Sequence, residues 1–265
     1  MISASVLTAF VLAAAAELLL PVIILIVLGV RKKLSAIPAL LGFAAFFVSQ
    51  ILLRIPILQA LGAQSWFKAF ALNTVPYIIM LSFTAGLFEE SARQLCAGCF
   101  LKKHRGFQDA LSFGLGHGFC EVILLTGMAQ INNIIYSVMI NNGSFQKLTA
   151  SLPAAQSQQL LTAMLSVKPE AVYLGILERV FAVTYHVFAS ILIFKGVSEK
   201  KISYYFLAIL AHTAFNMGSV LLTRYVTMWA GEGFALVFSA AAFFLILQMR
   251  KSYPAGDLPA AEPES

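Results

Sequence analysis

Apolar residues fill seven long stretches of the chain, at roughly 5–30, 36–60, 69–101, 107–140, 172–195, 202–223 and 226–249. A helix needs about 20 apolar residues to cross the hydrocarbon of a bilayer. The pattern therefore predicts an all-α, polytopic membrane helix bundle of about seven transmembrane helices. The third and fourth stretches are longer than a bilayer requires, so tilt or protrusion is expected of them. The first stretch has no basic leader and is interrupted by Glu17, so it reads as a spanning helix and not as a cleaved signal.

The polar positions between the stretches alternate in charge. Arg31, Lys32 and Lys33 follow the first stretch, and Lys102, Lys103 and Arg105 follow the third. Lys195, Lys200 and Lys201 follow the fifth, and Arg250 and Lys251 follow the seventh. The intervening loops hold only Lys68, Lys147, Lys168 and Arg224. Basic residues favour the cytoplasmic side, so the pattern predicts N-terminus out and C-terminus in. That outcome needs an odd number of helices, which agrees with seven. The longest loop, 141–171, then lies outside, and Leu148, Leu152, Leu160, Leu161, Met164 and Leu165 predict one or two amphipathic turns on the interface. Residues 1–252 read as a single transmembrane helical domain with its catalytic core at about 69–223. The polar, Pro-rich end, 253–265, reads as a disordered tail.

Composition adds little beyond this. Charged residues are 11% of the chain, far below the ~25% of a soluble domain. The net charge of +6 comes from the loop bias, so it implies no nucleic-acid partner. The three cysteines form no secreted disulfide framework. The expected location is the cell membrane, as a multi-pass integral protein.

Inside the apolar stretches stand polar groups that need a reason, because an ionisable side chain in hydrocarbon is costly. The third stretch carries Glu89, Glu90 and Arg93, and the fourth carries His117 and Glu121. The fifth carries Glu178, Arg179 and His186, and the sixth carries His212 and Asn216. Counting from the basic residue at each cytoplasmic end, Glu90, His117, His186 and His212 all lie about 14–18 Å deep, near the middle of the membrane. Four helices thus send polar groups to one layer. Glu89 and Arg93 are spaced to pair on one helix face, as are His117 with Glu121 and His212 with Asn216. Gly114, Gly116 and Gly118 flank His117 and permit close helix approach. A desolvated carboxylate acts as base or acid on water, histidines move protons, and an asparagine amide suits an oxyanion. The set points to hydrolysis of a peptide bond within the bilayer.

These residues resemble a family. Glu89-Glu90-Ser91-Ala92-Arg93, Phe113 to His117 and His212 to Asn216 are similar to the three motifs of type II CAAX prenyl proteases. The two-residue gap before Arg93 is shared with PrsW proteases, whereas the CAAX enzymes have three. With Glu121, Glu178-Arg179 and His186 added, the chain most resembles the YhfC-type intramembrane proteases. The resemblance implies a glutamic-type intramembrane endopeptidase in which Glu89 or Glu90 activates water. His117 and His212 would assist, and Asn216 would help hold the oxyanion.

A metal-free reaction is favoured here, with no cofactor. The alternative is a zinc-dependent metalloprotease with His117, His186 and His212 as ligands, although the helical H-E-x-x-H pattern is missing. Two other classes stay open, a proton-coupled transporter and a noncatalytic membrane partner protein. The expected partners are the lipid bilayer and a membrane protein or peptide substrate; the oligomeric state is not readable. Glu178 and Arg179 read as structural pairing or substrate-entry residues, and Glu17 and Arg54 as groups that snorkel or bridge helices. Cys96 and Cys99 read as small packing residues, and His104 as a solvated loop residue.

Overall fold

All seven apolar stretches are helical in the computed structural model, which describes residues 1–253 and has no strand among them. The helices are α1 (Ala4–Val30), α2 (Ala36–Gly62), the short α3 (Ser65–Ala71) and α4 (Thr74–Phe100). They continue with α5 (Phe107–Asn141), α6 (Ala154–Ser166), α7 (Pro169–Ser198), α8 (Ser203–Tyr225) and α9 (Met228–Arg250). Six of these, α1, α2, α5, α7, α8 and α9, are each long and apolar enough to cross a membrane. Taken as one broken span, α3 and α4 make a seventh. The Pro-rich tail lies, from residue 254 on, outside the described residues.

The third stretch is the one that departs from expectation. It is not one helix over 69–101 but two, bent by 106° at a break. Asn73 leaves helical geometry with φ −82° and ψ 85°. Pro76 then sits in the first turn of α4, where its missing N–H costs nothing.

The described chain forms two compact units. The first contains Met1–Ile24 and Glu121–Arg179. Its core joins Val6, Phe10 and Ala13 of α1 to Met164 of α6 and Val172 of α7. Asn141 ties to the chain start, accepting from Ile2 N at 2.7 Å and donating to Ile2 O at 3.0 Å. In the same unit Arg179 pairs with Glu178 at 2.8 Å and with Glu121 at 3.3 Å, the pairing expected of it.

The second unit contains Leu25–Cys120 and the chain from Val180 on. Phe113, Tyr185, Ile191 and Phe194 are buried in its core. Glycines bring its helices to backbone contact. A Cβ on Gly116 would stand 2.0 Å from Ala39 O, and one on Gly42 would stand 2.1 Å from Phe113 O. The polypeptides of α2 and α5 therefore touch just before His117.

The middle of α2 is a wide π turn, Phe47–Arg54, in which Ile55 N–H bonds to Gln50 O, five residues back. Its cause is Pro56, two residues beyond Arg54. A proline inside a helix has no N–H to give and its ring crowds the carbonyl four residues earlier, here Leu52. Widening the turn relieves both.

Two of the basic helix ends close alike. Lys32 (φ 54°) and Lys200 (φ 57°) take the left-handed conformation that normally calls for glycine. Lys33 N reaches back to Leu28 O at 2.8 Å, and Lys201 N to Gly196 O at 2.8 Å. Lys200→Gly is accordingly expected to stabilise the protein by about 1 kcal/mol. Chemical unfolding in detergent would show it, and a destabilised variant would count against the strain argument.

Candidate active site

Six polar side chains of the second unit meet in one buried cluster. Glu89, Glu90 and Arg93 come from α4, His117 from α5, His186 from α7 and His212 from α8. Glu90, Arg93 and His117 are fully buried, and the other three are at most 4% exposed. Charges so buried persist only when paired and hydrogen-bonded.

Arg93 is the cation of the cluster. Its Nη1 donates directly to Glu90 Oε1. Its Nη2 donates to His186 Nδ1 at 2.6 Å and stands 3.8 Å from Glu89 Oε2. The close partner of Arg93 is thus Glu90, three residues back, and not Glu89 as the spacing of four predicts. Because arginine has no acceptor, His186 Nδ1 must accept, which puts the proton of the neutral ring on Nε2.

The two carboxylates differ in surroundings. Glu90 Oε1 is held by Arg93 and by His212 Nδ1, the latter at 2.7 Å. Glu89 is the hub of the cluster. Its Oε2 meets His117 Nε2 at 2.9 Å and His186 Nδ1 at 3.8 Å. Its Oε1 accepts from Gln50 Nε2 at 2.7 Å and lies 3.8 Å from His212 Nε2. Glu90 Oε2, Arg93 Nε and His117 Nδ1 are buried without a hydrogen-bond partner among the described residues.

Two other predicted site residues stand elsewhere. Asn216 is half-buried, one turn beyond His212, and its side chain makes no hydrogen bond among the described residues. Glu121 belongs to the first unit, where it meets Arg179. The structure also adds two residues. Gln50 touches Glu89 directly, and Arg54 Nη1 donates to Gln50 Oε1 at 3.0 Å. Their spacing of four inside an apolar stretch is the same signal that marks His212 and Asn216.

One carboxylate oxygen and two ring nitrogens, from Glu89, His117 and His186, lie within 4.8 Å of one another. This trio has Glu89 where the three histidines expected as ligands have His212. Two imidazoles and a carboxylate are a donor set found at catalytic zinc sites, which use three protein ligands and leave a position open. The residues fit a metal by their chemistry, their convergence and the partnerless Nδ1 beside them.

A chain helical through its described residues, with six or seven candidate spans, is a polytopic membrane protein, and it buries a carboxylate–histidine cluster. Residues 16–235 match the model of the YhfC intramembrane metalloprotease family, and the chain belongs to that family. It is 30% identical over 226 residues to the uncharacterized membrane protein YhfC of Bacillus subtilis (strain 168), covering 84% of this chain and 88% of that one. No solved structure matches. The protein is a multi-pass integral membrane protein.

Proposed function

We propose that the protein is a metal-dependent intramembrane protease in which Glu89, His117 and His186 hold zinc. The observation that carries this reading is the buried convergence of one carboxylate and two imidazole donors within 4.8 Å. The family's description supports the same class. It replaces the metal-free preference drawn from sequence with a ligand set that includes a glutamate. When bound, zinc supplies Lewis acidity, making water a nucleophile near neutral pH and polarising a carbonyl oxygen.

The remaining side chains have roles in the same reading. Arg93 balances the charge of Glu90, and its 2.6 Å bond holds His186 Nδ1 in the cluster and would yield that nitrogen's lone pair to zinc. Glu90 holds His212 by Nδ1 at 2.7 Å and leaves Nε2 as the nitrogen that takes a proton from the attacking water and passes it to the departing amine. Asn216, further along α8, is the amide donor to the oxyanion. The substrate is a membrane-embedded polypeptide, and the loop charges support an N-out, C-in topology in the cell membrane.

A second reading rests on the direct 2.9 Å bond between Glu89 and His117. It makes Glu89 the base on water with no metal. One experiment separates the two. Purified protein in nanodiscs is given a library of model transmembrane peptides, with metal content measured in parallel. The metal reading expects stoichiometric zinc, cleavage abolished by chelation and restored by zinc, and losses of more than about 100-fold in Glu89→Gln and His117→Ala. Activity indifferent to chelation but lost in Glu89→Gln selects the metal-free reading. Cleavage that survives both variants overturns the site.

A further inference from the structure

Gln50 and Arg54 have no role in that reaction, yet both are committed to the cluster. They lie in the π turn of α2, and Gln50 is only 2% exposed. Arg54 Nη1 donates to Gln50 Oε1 at 3.0 Å. Arginine only donates, so the end of the amide that it meets is the carbonyl oxygen. The other end, Nε2, donates to Glu89 Oε1 at 2.7 Å. A donor behind it and an acceptor in front leave the amide one orientation.

Arg54 is itself tied to α4. Its Nη2 donates to Leu81 O at 2.6 Å, and its Nε donates to Thr84 Oγ1 at 3.1 Å. Thr84 Oγ1 in turn donates to Leu81 O at 3.2 Å. The path leaves α4 at Leu81, crosses α2 through Arg54 and Gln50, and returns to α4 at Glu89 about two turns further on. Such a closed path resists rotation of the Glu89 side chain. It also assigns the two oxygens of Glu89. With Oε1 taken by the amide, Oε2 is the oxygen that faces His117 at 2.9 Å and His186 at 3.8 Å.

We propose that Gln50 is a positioning residue that selects the Glu89 oxygen presented to the two histidines, and that Arg54 holds Gln50 in its donating orientation. The inference rests on the reading that Glu89 is a zinc ligand. Partners that orient ligands commonly change metal affinity by about 10–100-fold when removed.

The test uses the full chain in nanodiscs, stripped of metal and titrated with zinc against a chromophoric chelator, with thermal unfolding run alongside. Gln50→Met fills the same space without a donor. It is expected to weaken zinc binding by about 10–100-fold and to lower kcat more than KM at unchanged melting temperature. Arg54→Met should weaken zinc less, Arg54→Lys should restore part of the loss through its ammonium, and Gln50→Met with Arg54→Met should match Gln50→Met alone. If Gln50→Met does not fold, Arg54→Met carries the test, because it leaves Gln50 in place and frees its amide to turn. Unchanged zinc affinity in Gln50→Met, or in Arg54→Met where that variant carries the test, overturns the inference, as does an Arg54 effect that adds in full to that of Gln50. Glu89→Gln is the control. Zinc binding lost there but intact in Gln50→Met removes only this inference. Zinc binding intact in Glu89→Gln removes the ligand reading and the inference with it.

Discussion

Arg93→Met is expected to be the most destabilising single substitution in the protein, by about 3–5 kcal/mol, the usual cost of breaking a buried ion pair from one side. Arg93 is fully buried, and so is Glu90, to which its Nη1 donates directly. Removing the guanidinium leaves Glu89 and Glu90 adjacent on one helix with no fixed cation. It also takes a proton donor from His186 Nδ1. Glu90→Gln combined with Arg93→Met should recover a large part of the loss, since the orphaned charge disappears with its partner. Arg93→Lys should not, because a compact ammonium lacks the planar fork that spans Glu90 and His186. Unfolding in detergent, followed by circular dichroism, decides this without reference to activity. An Arg93→Met protein as stable as the wild type would show that the cluster does not need its cation.

Gly116→Ala is expected to impair the site from outside it. The added Cβ would sit 2.0 Å from Ala39 O, and the reciprocal Cβ on Gly42 would sit 2.1 Å from Phe113 O. These atoms are backbone, so no side chain can swing aside. α2 and α5 would have to part by an ångström or more, on the order of the usual van der Waals spacing. Over-packing of this kind costs about 1–3 kcal/mol. The larger effect is on geometry. His117 follows Gly116 directly, and Gln50 rides on α2, so the parting would pull apart the groups that meet at Glu89. A displacement of about 1 Å at reacting groups costs around 100-fold in rate. Gly62→Ala on the same helix is the control, because nothing lies within 4 Å of a Cβ there. Peptide cleavage and melting measured for both variants should separate them. Equal behaviour would mean that the α2–α5 contact is not held close by its glycines.

Much of this arrangement is legible in the amino-acid sequence, and the illegible parts share a cause. Runs of about 20 apolar residues mark spans directly, because the bilayer leaves the chain few alternatives. The break between α3 and α4 was hidden because Asn73 and Pro76 lie within an otherwise apolar run. Depth counting finds the layer shared by Glu89, Glu90, His117, His186 and His212, since helical rise is constant. It cannot say which atoms touch. Positions three and four apart are both neighbours on a helix, so spacing alone does not choose between Glu89 and Glu90 as the partner of Arg93. Nor does it show that the donors converging on one point are those of Glu89, His117 and His186. Gln50 escaped notice because an uncharged amide in an apolar stretch carries no evident cost until its neighbours are known.

The π turn of α2 has a consequence for the length of the chain. Phe47–Arg54 holds one residue more than an α-helix would use to cover the same rise. Deleting a single residue there would return the segment to ordinary winding, leaving the helix beyond it near its place but closing the wide turn that carries Gln50 and Arg54. The spacing of Gln50 and Arg54 around the helix would change, and with it the bond that orients the Gln50 amide. Substitutions in this segment change one contact at a time, whereas a one-residue gap dissolves the whole path. Its eight residues therefore act as a fixed-length spacer, tolerant in composition at its lipid-facing positions and intolerant in count.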